Sequence, residues 1–567
     1  MPAMGLGWKA GWAFLALMGT FGQGEALAPG EAEAWVQHLI PLPHRIEILA
    51  KRTLRPEQVK IQAPPWRELL LWQAVRELHE ALQQEGEGAS RGDFTLTLQI
   101  GGPEAKPLQT LKNADQAYTI FPEAEGSGLR LVALTPRGLL YAVKTLCQLL
   151  RARATKGRVE MPLLRITDWP DMAERGLWGS DAFHHLDWLG DIKMNVVEQI
   201  AAVWVDAEGK GHAGWRPGWE PMMEAFRYGI QPIPAVLHLN QLGGKGVFEA
   251  YPELRAQGGD EGAICFSQPA IVHVLADWLV DLGNLPHVSE VNVWLSENLH
   301  GKGGCRCERC RPHDRNVLET RAVLEAWRRA RERRPGLGLR ILLSEETYPS
   351  NEAILRELPE GVKVGYYHSL LTYNAYHDPM IDPLMERWAR GGRWLGVYPQ
   401  LNGAVGPAVP FTGPQFIHAR MSEFVDKGLA GLFGYATPLL AYVRFNVEAA
   451  AEWAWNARGR SPQEFALSYA VRHRLPQPEK FAEWAEAIGQ VAWDLYGSEW
   501  PTGELRRALP PVVKALGEGR LPPLGARQLG IYKKPWGEFA SPQQLADDWA
   551  AARRATALAR QMGIPQC

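Results

Sequence analysis

The sequence predicts an α/β protein: a (β/α)8 barrel with a small α+β domain before it and a helical region after it. From about Arg175 to Ala457, strand-like apolar runs alternate with amphipathic segments eight times, over a length typical of such barrels. Several of the runs are continuously apolar, as in parallel strands buried on both faces. The first run leads into GLWGSDAFHH, which is not the glycine-rich phosphate turn of a doubly wound nucleotide-binding sheet.

Each barrel strand is predicted from one apolar run, and the segments between runs have the spacing of amphipathic helices. The predicted strands are Gly176–Gly179, Asn195–Ile200, Gln231–Leu237, Glu290–Leu295, Leu339–Leu343, Lys363–Tyr367, Trp394–Tyr398 and Gly431–Gly434. The clearest helical segments between them are Ile271–Leu282, Asn316–Arg333 and Gly413–Lys427.

The flanking regions have different patterns, which predict domains at 29–165, 166–460 and 461–567. In the first, short strands are expected at Arg45–Ala50, Phe94–Gly101, Ala117–Phe121 and Leu129–Ala133, with helices at Trp66–Gln84 and Pro136–Arg151. Strands with helices on one face indicate a small α+β domain. The last region is rich in Ala, Trp, Glu and Arg at helical spacing and is predicted to be helical.

Composition and the N-terminus restrict the partners. A formal net charge of −2 without a long basic run argues against nucleic-acid binding. Lys9, the apolar stretch Gly11–Phe21 and Ala26-Leu27-Ala28 resemble a secretory signal peptide over residues 1–28. We therefore expect a secreted or periplasmic protein whose mature chain has no membrane span, since the apolar stretch is short for one.

Glu297 is the leading catalytic candidate. The apolar run Val288–Trp294 stops at Ser296-Glu297-Asn298, which would place a carboxylate at the carboxyl end of the fourth strand, where barrel enzymes have their sites. A purely structural role for Glu297, capping the next element or pairing with an arginine, is the alternative. Glu345 and Glu346 follow the fifth strand and are candidates for a second carboxylate, or else form a charge pair that begins a helix.

Other polar and aromatic side chains follow the remaining strands. The candidates for substrate contact are Trp178, Asp181, His238, Ser296, Asn298, Tyr367, His368, Tyr398 and Tyr435, with a structural role as the alternative for His238. Carboxylates, amides, imidazoles and phenols suit a neutral polyol, whereas a phosphate would call for glycine-rich turns with Lys or Arg. Cleaving a glycosidic bond requires an acid and a second group that stabilises or attacks the sugar carbon. The expected partner is therefore an oligosaccharide or glycoconjugate.

A cysteine-rich loop follows Glu297. Cys305, Cys307, Cys310 and His313 offer four ligands of types that zinc accepts, which predicts a possible structural zinc site. A disulfide within the loop or to Cys265, or free thiols, are the alternatives, particularly in an exported protein. In each case the loop is expected to play no part in catalysis, for which no cofactor is predicted.

Several stretches resemble family 20 glycoside hydrolases, the β-N-acetylhexosaminidases. Gln116–Ile120, Gly128–Leu131 and Thr135–Leu146 resemble the α+β domain that precedes the barrel in that family. Asp168–Leu177, Asp187–Asn195 and Tyr228–Pro234 resemble the first three strand regions of its barrel.

The resemblance implies that Arg175 holds sugar hydroxyls and that Glu297 is the general acid. The family has an Asp before this Glu, which orients the acetamido group of the substrate; this chain has Ser296 there. The Ser-Glu-Asn end, the cysteine loop and the segment 445–456 also resemble α-glucuronidase-like bacterial proteins. A glycosidase that uses two carboxylates directly, and a non-catalytic carbohydrate-binding relative, are the alternatives.

Overall fold

The computed structural model describes residues 24–65, 68–83, 92–153, 155–179, 181–297, 303–344, 347–367, 377, 379–401, 413–435, 443–496, 518 and 542–563. Within them lie a six-stranded sheet domain, a closed eight-stranded barrel and a set of C-terminal helices. This architecture confirms the predicted fold class. No helix in these ranges is both long enough and apolar enough to cross a lipid bilayer.

The first domain is a mixed sheet with two long helices. Its strands are β1 (Arg45–Leu54), β2 (Val59–Gln62), β3 (Phe94–Ile100), β4 (Tyr118–Pro122), β5 (Gly128–Ala133) and β6 (Val159–Asp168), in the spatial order β1-β6-β4-β5-β3-β2. The helices are α1 (Glu31–Val36), α2 (Leu69–Leu82) and α3 (Pro136–Ala152). Thr135 begins α3 by accepting a hydrogen bond from Gly138 N, with Pro136 at the first helical position.

Strand β6 was not predicted, and Pro162 explains why. A proline removes a backbone donor, so it argues against an interior strand. Here Pro162 lies opposite Lys51 of β1, while β4 pairs only with the end of β6, from Ile166 to Asp168. The proline therefore occupies a stretch with a paired neighbour on one side only.

The barrel closes in the order β11-β12-β13-β14-β15-β16-β7-β8, with every pair parallel. Its strands are β7 (Glu174–Trp178), β8 (Val196–Ile200), β11 (Gln231–Val236), β12 (Glu290–Trp294), β13 (Gly338–Ser344), β14 (Lys363–Tyr367), β15 (Leu395–Val397) and β16 (Gly431–Tyr435). All eight predicted strands are confirmed. The hairpin β9 (Ala202–Val205) and β10 (Gly211–Gly214) lies outside the barrel sheet and was not predicted.

Helices surround the barrel and continue after it. They are α4 (Leu186–Asp191), α5 (Phe248–Ala250), α6 (Ala270–Gly283), α7 (Arg315–Arg333), α8 (Asn351–Glu357), α9 (Pro383–Arg390), α10 (Pro414–Asp426), α11 (Arg444–Trp455), α12 (Pro462–Arg472), α13 (Pro478–Tyr496) and α14 (Pro542–Gln561). Capping side chains mark several starts: Asp314 accepts from Val317 N at α7, and Ser461 with Glu464 forms a capping box at α12.

An ion-pair network lies at the amino end of the barrel, around the fully buried Arg340. The guanidinium of Arg340 contacts Glu174 at 2.7 Å and Glu290 at 2.5 Å, and Lys363 Nζ lies 2.7 Å from Glu290. Lys363 also pairs with Glu174. Burial alone would raise the pKa of Glu174, but Arg340 and Lys363 lower it. Two anions and two cations thus close this end of the barrel.

Asp168 joins the sheet domain to the barrel. Its buried carboxylate accepts hydrogen bonds from His44 N, from Tyr118 OH at 2.6 Å and from Trp455 Nε1 at 2.9 Å, and Lys193 Nζ lies 3.4 Å away. Burial opposes ionisation, yet Lys193 and these hydrogen bonds lower the pKa of Asp168 to about 2. The interface between the two domains is therefore held by a charged group whose partners come from both.

Candidate active site

Glu297 lies just beyond the carboxyl end of β12, as predicted. Its side chain is 10% exposed, and Glu297 Oε1 is 3.3 Å from His238 Nε2. Asn240 holds the backbone of Glu297, because Asn240 Oδ1 accepts from Glu297 N and Asn240 Nδ2 donates to Glu297 O. Two side chains from the loop after β11 therefore position the carboxylate at the end of the neighbouring strand.

His238 presents one defined face to Glu297. His238 Nδ1 is 2.7 Å from Leu295 O, a carbonyl that can only accept, so Nδ1 carries the hydrogen. Burial lowers the pKa of His238 to about 4, which keeps the ring neutral near pH 7 despite the hydrogen bond to Leu295. A neutral ring with a hydrogen on Nδ1 leaves a lone pair on Nε2, which lies 3.3 Å from Glu297 Oε1. The contact between His238 Nε2 and Glu297 Oε1 is therefore not an ion pair.

Four aromatic rings lie together at this end of the barrel. Trp178 stacks on Tyr435 with ring centroids 4.5 Å apart and leans on Trp294 at 5.2 Å. Tyr367 lies 6.5 Å from Tyr435, and Trp294 meets the ring of His238 edge-on at 5.0 Å. Trp178 Nε1 is buried and has no hydrogen-bond acceptor among the described residues. Trp178, Tyr367 and Tyr435 were predicted here; Trp294 was missed as a site residue, although it ends the run that identified Glu297.

Tyr398 was predicted as a substrate contact, and the structure corrects this. Tyr398 is 1% exposed, and its hydroxyl donates to Glu198 Oε2 at 2.7 Å. Asn292 Nδ2 and Trp294 Nε1 donate to the same carboxylate at 3.0 and 3.1 Å. Burial raises the pKa of Glu198 despite these neutral donors and the more distant charge of Arg340. Tyr398 therefore supports a buried carboxylate inside the barrel, which was not proposed as a site residue from the sequence.

Arg175 does not lie at the site. Its guanidinium donates to Met172 O at 2.6 Å, Gln116 Oε1 at 3.0 Å and Lys193 O at 3.0 Å, and it lies 4.8 Å from the ring of Trp455. Arg175 is 1% exposed, and it faces the sheet domain from the second position of β7. The sugar-binding role that the resemblance implied is wrong for this structure, because protein acceptors already use the guanidinium.

Ser296, at the position where the resemblance implied an Asp, is also buried. Ser296 N donates to Glu319 Oε2 at 3.0 Å, so a carboxylate of α7 lies behind the strand end. Burial raises the pKa of Glu319 to about 7. The sequence analysis did not single out Glu319, because it lies on a helical face where an acidic residue usually meets solvent.

The cysteine loop gathers a different ligand set from the predicted one. The Sγ atoms of Cys265, Cys305, Cys307 and Cys310 all lie within 4.8 Å of one another. His313 is exposed and not part of this group; its backbone N donates to Cys310 O instead. Cys265 lies 40 residues before Cys305 in the chain, so spacing within the loop could not identify it as the fourth ligand.

The remaining candidates lie on segments that follow barrel strands. Asn298, Glu345, Glu346 and His368 lie outside the described residues. Asp181 is half-buried in the turn after β7. The structure therefore brings Glu297, His238, Trp178, Tyr367 and Tyr435 to one end of the barrel and leaves the partnership of Glu297 with Glu345 or Glu346 as a prediction.

The sheet domain is similar to a known domain family. Residues 36–169 match the family model for glycosyl hydrolase family 20, domain 2. This match confirms the resemblance drawn from the sequence for the first domain. The closed barrel that follows it is of the kind that the resemblance implied.

Solved structures share the fold at low sequence identity. An exo-β-N-acetylglucosaminidase from Vibrio harveyi, in complex with N-acetylglucosamine, is 14% identical, with 82% of this chain and 79% of that chain covered and a TM-score of 0.55. A chitobiase from Flavobacterium johnsoniae is 14% identical over 93% and 89% of the two chains, with a TM-score of 0.54. A family 138 enzyme targeting pectin rhamnogalacturonan II is 13% identical over 77% and 55%, with a TM-score of 0.56. A comparison with curated proteins finds no match.

Proposed function

We propose that the protein hydrolyses a terminal glycosidic bond of a β-N-acetylhexosaminide-like substrate, with Glu297 as the general acid. One observation carries the proposal. Glu297 lies just beyond the carboxyl end of a barrel strand, its Oε1 lies 3.3 Å from Nε2 of the buried, neutral His238, and Trp294 packs against the His238 ring. A carboxylic acid that keeps its proton near neutral pH is what protonation of a leaving oxygen requires.

His238 positions Glu297 in this proposal. In the resting state the proton of Glu297 points at His238 Nε2. When substrate binds, the glycosidic oxygen competes for that proton and takes it as its bond to the sugar carbon breaks, while that carbon bonds to a second group, either the acetamido oxygen of the substrate or a carboxylate of the protein. The ionised Glu297 then serves as the base that activates water in the second step.

The aromatic rings are proposed to form the wall of the sugar site. Trp178 and Tyr435 offer flat faces, and the unpartnered indole N–H of Trp178 is a donor suited to a sugar hydroxyl. A buried donor without an acceptor destabilises a folded protein, and a hydrogen bond to a bound sugar hydroxyl would remove that penalty. An oligosaccharide or glycoconjugate is the partner that this wall fits.

Glycoside cleavage also needs a second group, which stabilises or attacks the sugar carbon. The described residues do not include our candidates for it. Serine at 296 cannot supply the negative charge with which the family orients the acetamido group. Glu345 and Glu346 follow β13, the strand next to β12, and are our candidates for the missing carboxylate. Because Ser296 removes the family's charge, the second candidate function is a glycosidase that uses two carboxylates directly, including one of the α-glucuronidase-like kind.

Replacing Glu297 with Gln tests the assignment. On aryl glycosides with poor leaving groups we expect kcat/KM to fall by about 10²–10⁴-fold, with a smaller fall for nitrophenyl glycosides that need little protonation. Glu308→Gln, an exposed acid in the same loop, is the matched control and is expected to keep full activity. Unchanged melting temperatures would exclude misfolding. Full activity in Glu297→Gln would refute the role.

The choice of substrate separates the two functions. Aryl N-acetylglucosaminides and aryl glucuronides are assayed with wild type, Glu345→Gln and Glu346→Gln. Turnover of the N-acetylglucosaminide alone supports the first function, and turnover of the glucuronide supports the second. Sugar binding without turnover of any glycoside would instead indicate a non-catalytic relative.

We also propose export, supported by Lys9, the apolar stretch Gly11–Phe21 and Ala26-Leu27-Ala28. Expression of the full chain in a bacterial host should yield a periplasmic or secreted protein whose N-terminus begins near residue 29. An uncleaved protein retained in the cytoplasm would contradict this.

A further inference from the structure

We infer that Cys265, Cys305, Cys307 and Cys310 bind one structural zinc ion, and that this ion clamps together the loops after β11 and β12, which carry His238 and Glu297. The zinc site itself does not depend on the proposed function; only its effect on turnover does.

The sulfur positions fit a single tetrahedral ion. Cys265 Sγ lies 3.6 Å from Cys310 Sγ and 3.8 Å from Cys307 Sγ. Four thiolates held at about 2.3 Å from a common zinc lie about 3.8 Å from one another, so these separations match an edge of the tetrahedron. A disulfide would join one pair at about 2.05 Å and leave the other two sulfurs without a role.

Polar groups lie around the sulfurs. Gln257 N donates to Cys305 Sγ at 3.4 Å, and Ser267 Oγ lies 3.2 Å from Cys265 Sγ and 3.8 Å from Cys307 Sγ. Cys265 and Cys310 are buried, whereas Cys305 and Cys307 are half-buried. Four sulfur ligands leave no open coordination position, as is typical of structural rather than catalytic zinc.

The cluster lies where the two loops meet. Backbone hydrogen bonds from Arg306 N to Gln257 O at 2.8 Å and from Asp260 N to Gly303 O at 2.9 Å join the loops beside it. Nearer the barrel, Asn240 joins the same loops by binding the backbone of Glu297. Both ends of the segment from Glu297 to Cys305 are therefore attached to the loop after β11, one by an amide and the other by the proposed zinc.

The clamp has a consequence for Glu297. His238 and Glu297 belong to different loops, and their contact at 3.3 Å depends on the loops keeping their separation. A metal that ligates Cys265 of one loop and three cysteines of the other fixes that separation. Asn298–Lys302, between Glu297 and the cluster, lie outside the described residues.

Metal content of the purified full chain is the first test. We expect about one zinc ion per chain by mass spectrometry, and at least a tenfold loss in Cys265→Ser and in Cys307→Ser. Two control variants are expected to retain the ion. His313→Ala removes the ligand that the sequence predicted. Cys147→Ser removes a buried cysteine of α3 that lies outside the cluster and whose Sγ contacts Glu77 O. Loss of zinc in His313→Ala with retention in Cys265→Ser would overturn the ligand set.

Wild-type protein supplies a second test, which does not depend on whether the cysteine variants fold. Exchange of zinc for Co²⁺ should give the intense visible bands of a tetrahedral ion and a near-ultraviolet thiolate-to-metal band. Thiol titration of the denatured chain, which has six cysteines, should give the same number of thiols with and without prior reduction. No metal after reconstitution, or a disulfide between two of the four, would overturn the proposal.

Chelation tests the clamp. Removal of zinc should lower the melting temperature by several degrees, since an ion bound only by the folded state stabilises it. It should also lower kcat more than it raises KM, and added zinc should reverse both changes. A zinc-binding protein whose turnover survives chelation would refute the clamp alone. If no substrate is turned over, metal content and melting temperature still decide the zinc site.

Discussion

The two ends of the barrel both contain buried glutamates, but those glutamates have opposite surroundings. At the amino end, Glu174 and Glu290 face Arg340 and Lys363, so the charges cancel within the protein. Towards the carboxyl end, Glu198 accepts from the neutral groups of Asn292, Trp294 and Tyr398, and Glu297 faces the neutral ring of His238.

The different surroundings shift the pKa values of the glutamates in opposite directions. Nearby cations lower the pKa of Glu174, whereas burial raises the pKa of Glu198. A paired carboxylate is committed to its charge and contributes to structure. A carboxylate among neutral partners can exchange a proton, as acid–base chemistry requires. The comparison predicts that substitutions at the amino end affect stability and that substitutions at the carboxyl end affect activity or the pH dependence of stability.

Disrupting the ion-pair network at the amino end of the barrel should have the largest effect on stability. Arg340→Met leaves Glu174 and Glu290 with only Lys363, and uncompensated buried charge costs about 3–5 kcal/mol. We expect the free energy of unfolding, measured by urea denaturation, to fall by that amount. Glu297→Gln serves as the control from the other end and should change it little. A stable Arg340→Met protein would show that this network does not hold the barrel.

Glu319, behind Ser296, provides a test that depends on pH. The unfolded chain ionises Glu319 near 4.5 and the folded chain near 7, so the folded state binds more protons between these values. Stability therefore falls as pH rises from 4.5 to 7, by about 3 kcal/mol in total.

Glu319→Gln keeps an acceptor for Ser296 N but cannot ionise. Compared with wild type, it should gain up to about 3 kcal/mol of unfolding free energy at pH 8 and almost nothing at pH 4. Urea denaturation at several pH values measures the difference. An equal change at both pH values would mean that the carboxylate of Glu319 is not responsible for the pH dependence.

His238→Phe sharpens the comparison at the carboxyl end, because it keeps a ring but removes the acceptor at Nε2. We expect kcat/KM to fall by about 10–100-fold, the cost of a displaced catalytic group. The alkaline limb of the pH–rate profile should move to lower pH, because protonated Glu297 loses its partner. A lower rate with an unmoved profile would instead indicate a structural role for the ring.

The way strands bury their side chains explains what the sequence could and could not predict about the barrel. The barrel strands were predictable because strands buried on both faces produce continuous apolar runs that few other elements share. Alternation places Glu174, Gly176 and Trp178 towards the barrel interior and Arg175 and Leu177 towards the outside. This alternation in β7 excludes Arg175 from the site, although the family resemblance implied that Arg175 binds sugar.

Other parts of the site depend on contacts between distant segments. His238 and Glu297 were each predicted from strand ends, yet their contact required the barrel to close. Glu198 was visible near the end of its strand, but its role depends on Tyr398, which is 200 residues away. Likewise Cys265 joins the cysteine loop only through the fold. Local patterns predict elements, whereas a carboxylate's partners are determined by which elements become neighbours.

Asp168 carries a consequence for the modularity of the chain. Its partners His44 and Tyr118 belong to the sheet domain, whereas Lys193 and Trp455 belong to the barrel. A barrel produced without residues 24–165 would lose Tyr118 and His44 and would expose Arg175 where Gln116 had been. Any transfer of this barrel to another protein, by evolution or by protein engineering, therefore has to include the sheet domain.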